Sequence, residues 1–180
     1  MRDWNLLVTI VPGPQHVHQV LAHLRNLGRF VLSQFMDVCL GHVRDVPEFL
    51  DRIQAARVSG QEWASAIGRV IPLQCTFTFA PESLEDQLKD AVVPLVAQMR
   101  AGSFHVRLER RGMAGKIPTQ QIERAVADHI FALASAQGTQ LETDFDHPDY
   151  VVVAETVGER AGVALLTREL SSRYPFVHVR

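Results

Sequence analysis

Arg107, Arg110, Arg111 and Lys116 crowd four cations into one short stretch, residues 104–119. Guanidinium and ammonium groups this close together suit an oxyanion, above all a phosphate. The same stretch carries a pattern that would hold them. Phe104, Val106 and Leu108 alternate with His105, Arg107 and Glu109, a period of two that predicts a half-buried strand. Arg110 would fall on the apolar face, where an unpaired guanidinium is costly, so the strand is expected to end at Glu109. Gly112, Gly115 and Pro118 then turn the chain, and Thr119 is the expected cap of a helix. A helix start offers free backbone amides beside those cations, which is the usual chemistry of phosphate binding. A solvated basic turn would have the same composition.

The elements around this stretch follow from hydrophobic period and turn residues. Residues 6–11 read as a buried strand closed by Pro12-Gly13-Pro14. Val17, Val20, Leu21, Leu24 and Leu27 mark one helix face stopped by Gly28. Residues 29–35 and 37–43 read as two strands. Asp45-Val46-Pro47-Glu48 resembles a capping box opening a second helix. A helical turn near Trp63 and a strand over 69–79 follow. This βαββαβ order is that of the ferredoxin-like fold. After a linker at Ala80-Pro81-Glu82-Ser83, the second half reads as a helix to about Met99, bent at Pro94, then the strand and helix of the basic stretch. Beyond Gly138 come a short extended piece, the turn Asp146-His147-Pro148-Asp149, strands over 150–156 and 160–167, a helical turn over 168–173 and an edge strand over 174–180. The expected architecture is α+β, with domains at residues 1–80 and 81–180.

Charge is uneven in the second half. From Arg107 to Arg124 five cations face two anions; from Glu142 to Glu159 there are six anions and no cation; from Arg160 onward four cations face Glu169 alone. If Arg168 and Arg173 lie at the same end of the sheet as Arg110, they extend one basic patch. The formal net charge of −2 means that any nucleic-acid site is local. Hydrophobic residues at 47% and charged residues at 21% describe a folded chain rather than a disordered one. No apolar run approaches a membrane span, nothing resembles a signal peptide, and a cytoplasmic protein is expected. Cys39 and Cys75 sit in apolar runs without metal spacing.

Other constellations fall short of a site. His16 and His18 project in different directions from a helix. Asp144, Asp146 and Asp149 lack the glycine and closing glutamate of a calcium loop. Gly115-Lys116 is followed by Ile117 rather than Ser or Thr, so it is not a phosphate-binding P-loop. Trp4 and Trp63 could stack bases but fit packing positions in the first domain. No nucleophile elbow or convergent acid, base and nucleophile is visible. Neither a cofactor nor catalysis is expected.

Ser103-Phe104-His105-Val106-Arg107-Leu108-Glu109-Arg110-Arg111-Gly112, the Pro118-Thr119 start of a helix, and residues 146–155 together resemble the THUMP domain. They match its phenylalanine-led strand ending in Arg-Arg-Gly, and its Asn-Pro-Asp motif before a strand. Asp146 or His147 stands where that motif has Asn. A ferredoxin-like domain typically precedes a THUMP domain. The resemblance implies binding of RNA, mostly tRNA, with the cations Arg107, Arg110, Arg111 and Lys116 on its phosphates; Arg168 and Arg173 are added from charge alone. The 180 residues show neither a thiouridine-synthetase loop nor a methyltransferase glycine motif. The chain therefore looks like the stand-alone THUMP proteins that present tRNA to a separate modifying enzyme. A second reading is a ferredoxin-like regulatory module that binds a small anionic metabolite and oligomerises.

Overall fold

The computed structural model describes residues 3–179, which form two compact units: residues up to 73 together with the segment from 170 onward, and residues 74–169.

The first unit runs β1 (Leu6–Ile10), α1 (His16–Leu24), β2 (Arg29–Leu32), β3 (Val38–His42), α2 (Val46–Val58), α3 (Glu62–Ser65) and β4 (Ile67–Pro72). Its sheet has the order β2-β3-β1-β4 and every pair is antiparallel. That is the split-βαβ arrangement of the ferredoxin-like fold. α1 buries Val20, Leu21 and Leu24, and α2 buries Phe49, Leu50, Ile53 and Ala56. The Asp45 carboxylate accepts from the Glu48 amide at 2.8 Å, capping α2 as the sequence suggests. Trp4 is buried, and Trp63 stacks on His23 with ring centroids 4.6 Å apart. Cys39 is fully buried, which pushes its thiol up to about 11.

The strand expected over 69–79 is two strands in two sheets. β4 stops at Pro72, and β5 (Cys75–Thr78) pairs with a strand of the second unit. Gln74 explains the break. Its amide donates to the Val163 carbonyl, and its side-chain oxygen accepts from the Leu165 amide, both at 2.8 Å. The units therefore divide at residue 73 rather than 80. The expected edge strand over 174–180 is also absent among the described residues. Phe176 and Val177 are buried in the first unit, and the Phe176 carbonyl accepts from the Val70 amide. Arg180 lies outside the described residues.

The second unit continues with α4 (Leu84–Val96), β6 (Gly102–Arg111), α5 (Thr119–Ala136), β7 (Leu141–Thr143), β8 (Tyr150–Val157), β9 (Arg160–Thr167) and the start of α6 (Arg168–Arg173). The sheet order is β5-β9-β8-β6-β7, with β6 parallel to both neighbours. Pro94 lies in the last turn of α4, so it precedes the helix end and does not divide a longer helix. Leu88, Val92 and Leu95 of α4 and Ile122, Val126 and Ile130 of α5 share one core with Phe104, Val106, Leu108, Val152, Ala154, Val163 and Leu165. The period-two alternation read from β6 is thus the face that the helices cover.

Candidate nucleic-acid interface

β6 continues through Arg111, two residues past its expected end. Arg110 is on the helix-covered face by register, opposite Thr156. It escapes burial because it lies at the rim, where it is exposed and donates to the Gly112 carbonyl at 2.6 Å. The turn that follows needs left-handed backbone at Gly112 (φ 91°), Met113 (φ 52°) and Gly115 (φ 74°). Ile117 is buried and anchors the turn to the core, leaving Lys116 exposed beside it. α5 then starts one residue after Pro118, whose carbonyl accepts from the Ile122 amide at 3.0 Å. Pro118 occupies the cap position because its backbone (φ −79°, ψ 82°) is not helical. Thr119 is therefore the first helical residue and not the cap. No side chain caps α5. An 18-residue helix thus presents its first-turn amides without a side-chain cap, directly after the turn that carries Arg110 and Lys116.

The acids counted in this stretch are already engaged. Glu109 accepts from Arg107 Nε at 3.2 Å. Glu123 accepts from the Leu108 amide at 2.7 Å, on the stretch of β6 that β7 leaves uncovered. Neither carboxylate neutralises Arg110 or Lys116. Arg124, exposed on α5, also has no ion pair among the described residues. Sequence reasoning counted its charge but not its place; a position in the second turn of α5 was the available signal.

The other expected cations are placed elsewhere. Arg111 points to the opposite face from Arg110 and is only 15% exposed; it pairs with Glu155, whose side chain is fully buried. Arg107 shares that face, 43% exposed beside Glu109. Arg168 is at the far end of the sheet. The register runs from Phe104 opposite Tyr150 to Arg111 opposite Val157, and Tyr150 is in turn opposite Thr167. Seven steps of strand separate the two ends by about 23 Å, so Arg168 and Arg110 do not form one patch. Arg168 instead serves the turn at residues 146–149. It pairs with Asp149 at 3.2 Å and donates to the His147 carbonyl. Arg173 belongs to the first unit, where it pairs with Asp51 at 2.9 Å.

The turn at residues 144–149 is built by its own acids. Asp144 accepts from the amides of Asp146 and His147 at 2.8 and 2.9 Å. Asp149 accepts from the amide of Ser103 at 2.9 Å and from its hydroxyl at 3.2 Å. These amides hold both carboxyls below the ordinary value of 3.8. A Cβ at Gly102 would stand 2.6 Å from the Asp149 carboxylate, so only glycine admits this contact. Phe145 is 74% exposed and stacks on His105. Among the described residues, no group of three or more metal-ligating side chains is placed to hold an ion.

The strand, basic turn, helix and Asp149 latch all fall within residues 82–166, which the family profile of the THUMP domain matches. This chain contains a THUMP domain. Its fold is also that of solved structures. PH1313 from Pyrococcus horikoshii superposes with a TM-score of 0.63 at 11% identity, over 89% of this chain and 53% of that one. TrmN from Thermus thermophilus gives 0.60 at 20% identity, over 94% and 48%. A 4-thiouridine synthetase solved as an RNA complex with bound ATP gives 0.59 at 12% identity, over 91% and 41%. At these identities the likeness shows a shared fold, and this chain spans about half the length of the structures it matches. A search of curated protein sequences finds no match. No helix among the described residues is long and apolar enough to cross a membrane.

Proposed function

We propose that this chain binds structured RNA, tRNA foremost, and presents it to a separate RNA-modifying enzyme without itself catalysing a reaction. The observation that carries the reading is the uncapped start of α5 directly after the turn that carries Arg110 and Lys116, two exposed cations whose neighbouring acids are engaged elsewhere. Amides and cations in this arrangement suit phosphate oxygens. The THUMP domain supports the reading, as does the shared fold with a synthetase solved with RNA. Arg124, exposed in the second turn of α5, adds a cation near the start of that helix; Arg111 supports the strand from within. Contacts of this kind give affinity and salt dependence but no sequence reading. The helix-side rim of the sheet would recognise shape.

Fluorescence anisotropy of labelled tRNA against the whole chain, at several salt concentrations, tests this. Binding is expected to weaken steeply with salt. Replacing Arg110 and Lys116 by Ala should flatten the slope by about two, near one for each lost phosphate contact. Absence of binding at low salt, or an unchanged slope in the double variant, would overturn the proposed surface.

A further inference from the structure

The first unit contains an open cleft of about 740 Å³ between the end of α1, the start of β2 and the β3–α2 junction. That volume lies within the range of small-molecule sites. Four arginines line it (Arg25, Arg29, Arg44 and Arg52), against two acids, Asp45 and Glu48. The acids are committed. Asp45 caps α2 through the Glu48 amide, and Glu48 takes two hydrogen bonds from Arg52, at 3.0 and 2.7 Å. Arg29 is held by Asp3 at 2.6 Å. Arg25 and Arg44 have no carboxylate partner among the described residues. The one bond of Arg25 is a long 3.5 Å contact to the Phe30 carbonyl. Arg25 and Arg44 line the same concave space from different elements, α1's end and the β3–α2 junction.

We infer that this cleft is a phosphate-binding site, with Arg25 and Arg44 as its anion contacts. A concave surface with two uncompensated guanidinium groups favours an anion that accepts several N–H bonds, and phosphate matches their fork geometry. The phosphate could come from a free mononucleotide or from an RNA backbone, and the chemistry at the cleft is the same. The inference does not depend on the RNA reading of the second unit, because every lining residue belongs to the first.

The test is titration of the isotope-labelled full chain, followed by backbone amide resonances, with adenosine monophosphate and separately with an RNA hairpin. Saturable shifts at residues 25–29 and 44–45 are expected. Arg25→Gln/Arg44→Gln should weaken them about tenfold, the effect of losing one to two charge-assisted hydrogen bonds. Arg44→Gln alone should give a smaller loss of the same kind, and thermal melts check that each variant is folded. Shifts with the mononucleotide assign a free phosphorylated ligand. Local shifts with the hairpin alone, surviving Arg110→Ala/Lys116→Ala, assign the RNA backbone. A hairpin that shifts no resonance anywhere in the chain, with a responding mononucleotide, upholds the cleft and overturns the RNA reading. No local shift with either probe, or shifts indifferent to both arginine changes, overturns the inference.

Discussion

The two ends of the second unit's sheet carry the residues by which a THUMP domain is recognised, and they use their polar groups in opposite ways. At the acidic end, Asp144, Asp149, Ser103 and Arg168 are tied to one another or to backbone in a closed set of hydrogen bonds. At the basic end, among the described residues, Arg110 reaches only a local carbonyl, Lys116 has no side-chain partner, and α5 has no side-chain cap. Side chains whose bonds are all made internally stabilise the fold. Groups left open at a rim are the ones available to a ligand. Motif residues thus divide into architecture and surface by where their hydrogen bonds go.

The largest expected effect tests the architectural side of this division. Arg111→Ala removes a guanidinium from the fully buried Glu155 carboxylate, and should cost about 1.5–3 kcal/mol in urea denaturation. Arg111→Met/Glu155→Leu should recover part of that stability, since a buried pair is often replaceable by apolar packing. If Arg111→Ala instead leaves stability unchanged and weakens tRNA binding as Arg110→Ala does, Arg111 belongs to the surface and the division fails there.

Gly102→Ala should destabilise by about 1–3 kcal/mol, because its Cβ must displace the Asp149 carboxylate from 2.6 Å. A chemical denaturation midpoint unchanged from the parent chain would contradict the latch. At the basic end, Arg110→Ala/Lys116→Ala should weaken tRNA binding about tenfold at moderate salt, while stability stays within about 0.5 kcal/mol. A comparable loss of stability would place these residues with the architecture.

The smallest effect concerns acid. Asp144 and Asp149 have folded-state values below 3.8, held down by backbone amides. Their contribution to stability is therefore complete above the ordinary carboxylate range and is lost as pH falls through the lowered values. A melting-temperature profile should decline below about pH 4, and Asp149→Asn should make that decline shallower. An identical slope in the variant would remove Asp149 from the account.

Local signals were legible in the chain. Alternation at Phe104, Val106 and Leu108 marked β6, Asp45 and Glu48 marked the start of α2, and the βαββαβ order followed from period and turns. Where one strand became two at Gln74, the apolar run gave no sign, because the change of sheet depends on bonds to Val163 and Leu165 about ninety residues away. The closing segment failed as an edge strand for a related reason: its apolar residues find burial without a ladder.

The candidate site divides in the same way. Arg110, Lys116 and the start of α5 are neighbours in sequence, so their meeting at one turn could be read directly. Arg168 could not be placed, because only the strand register puts it at the far end from Arg110. Arg111 differs from Arg110 by one residue, yet the two-residue period of a strand turns it to the face where Glu155 is buried. Sequence by itself determined the elements, the order of the first unit and the position of the basic turn, because those depend on residues within a few turns or strands of one another. Tertiary structure alone decided which cations remain open, because a charge is neutralised by whatever the fold brings to within 4 Å of it, however distant along the chain.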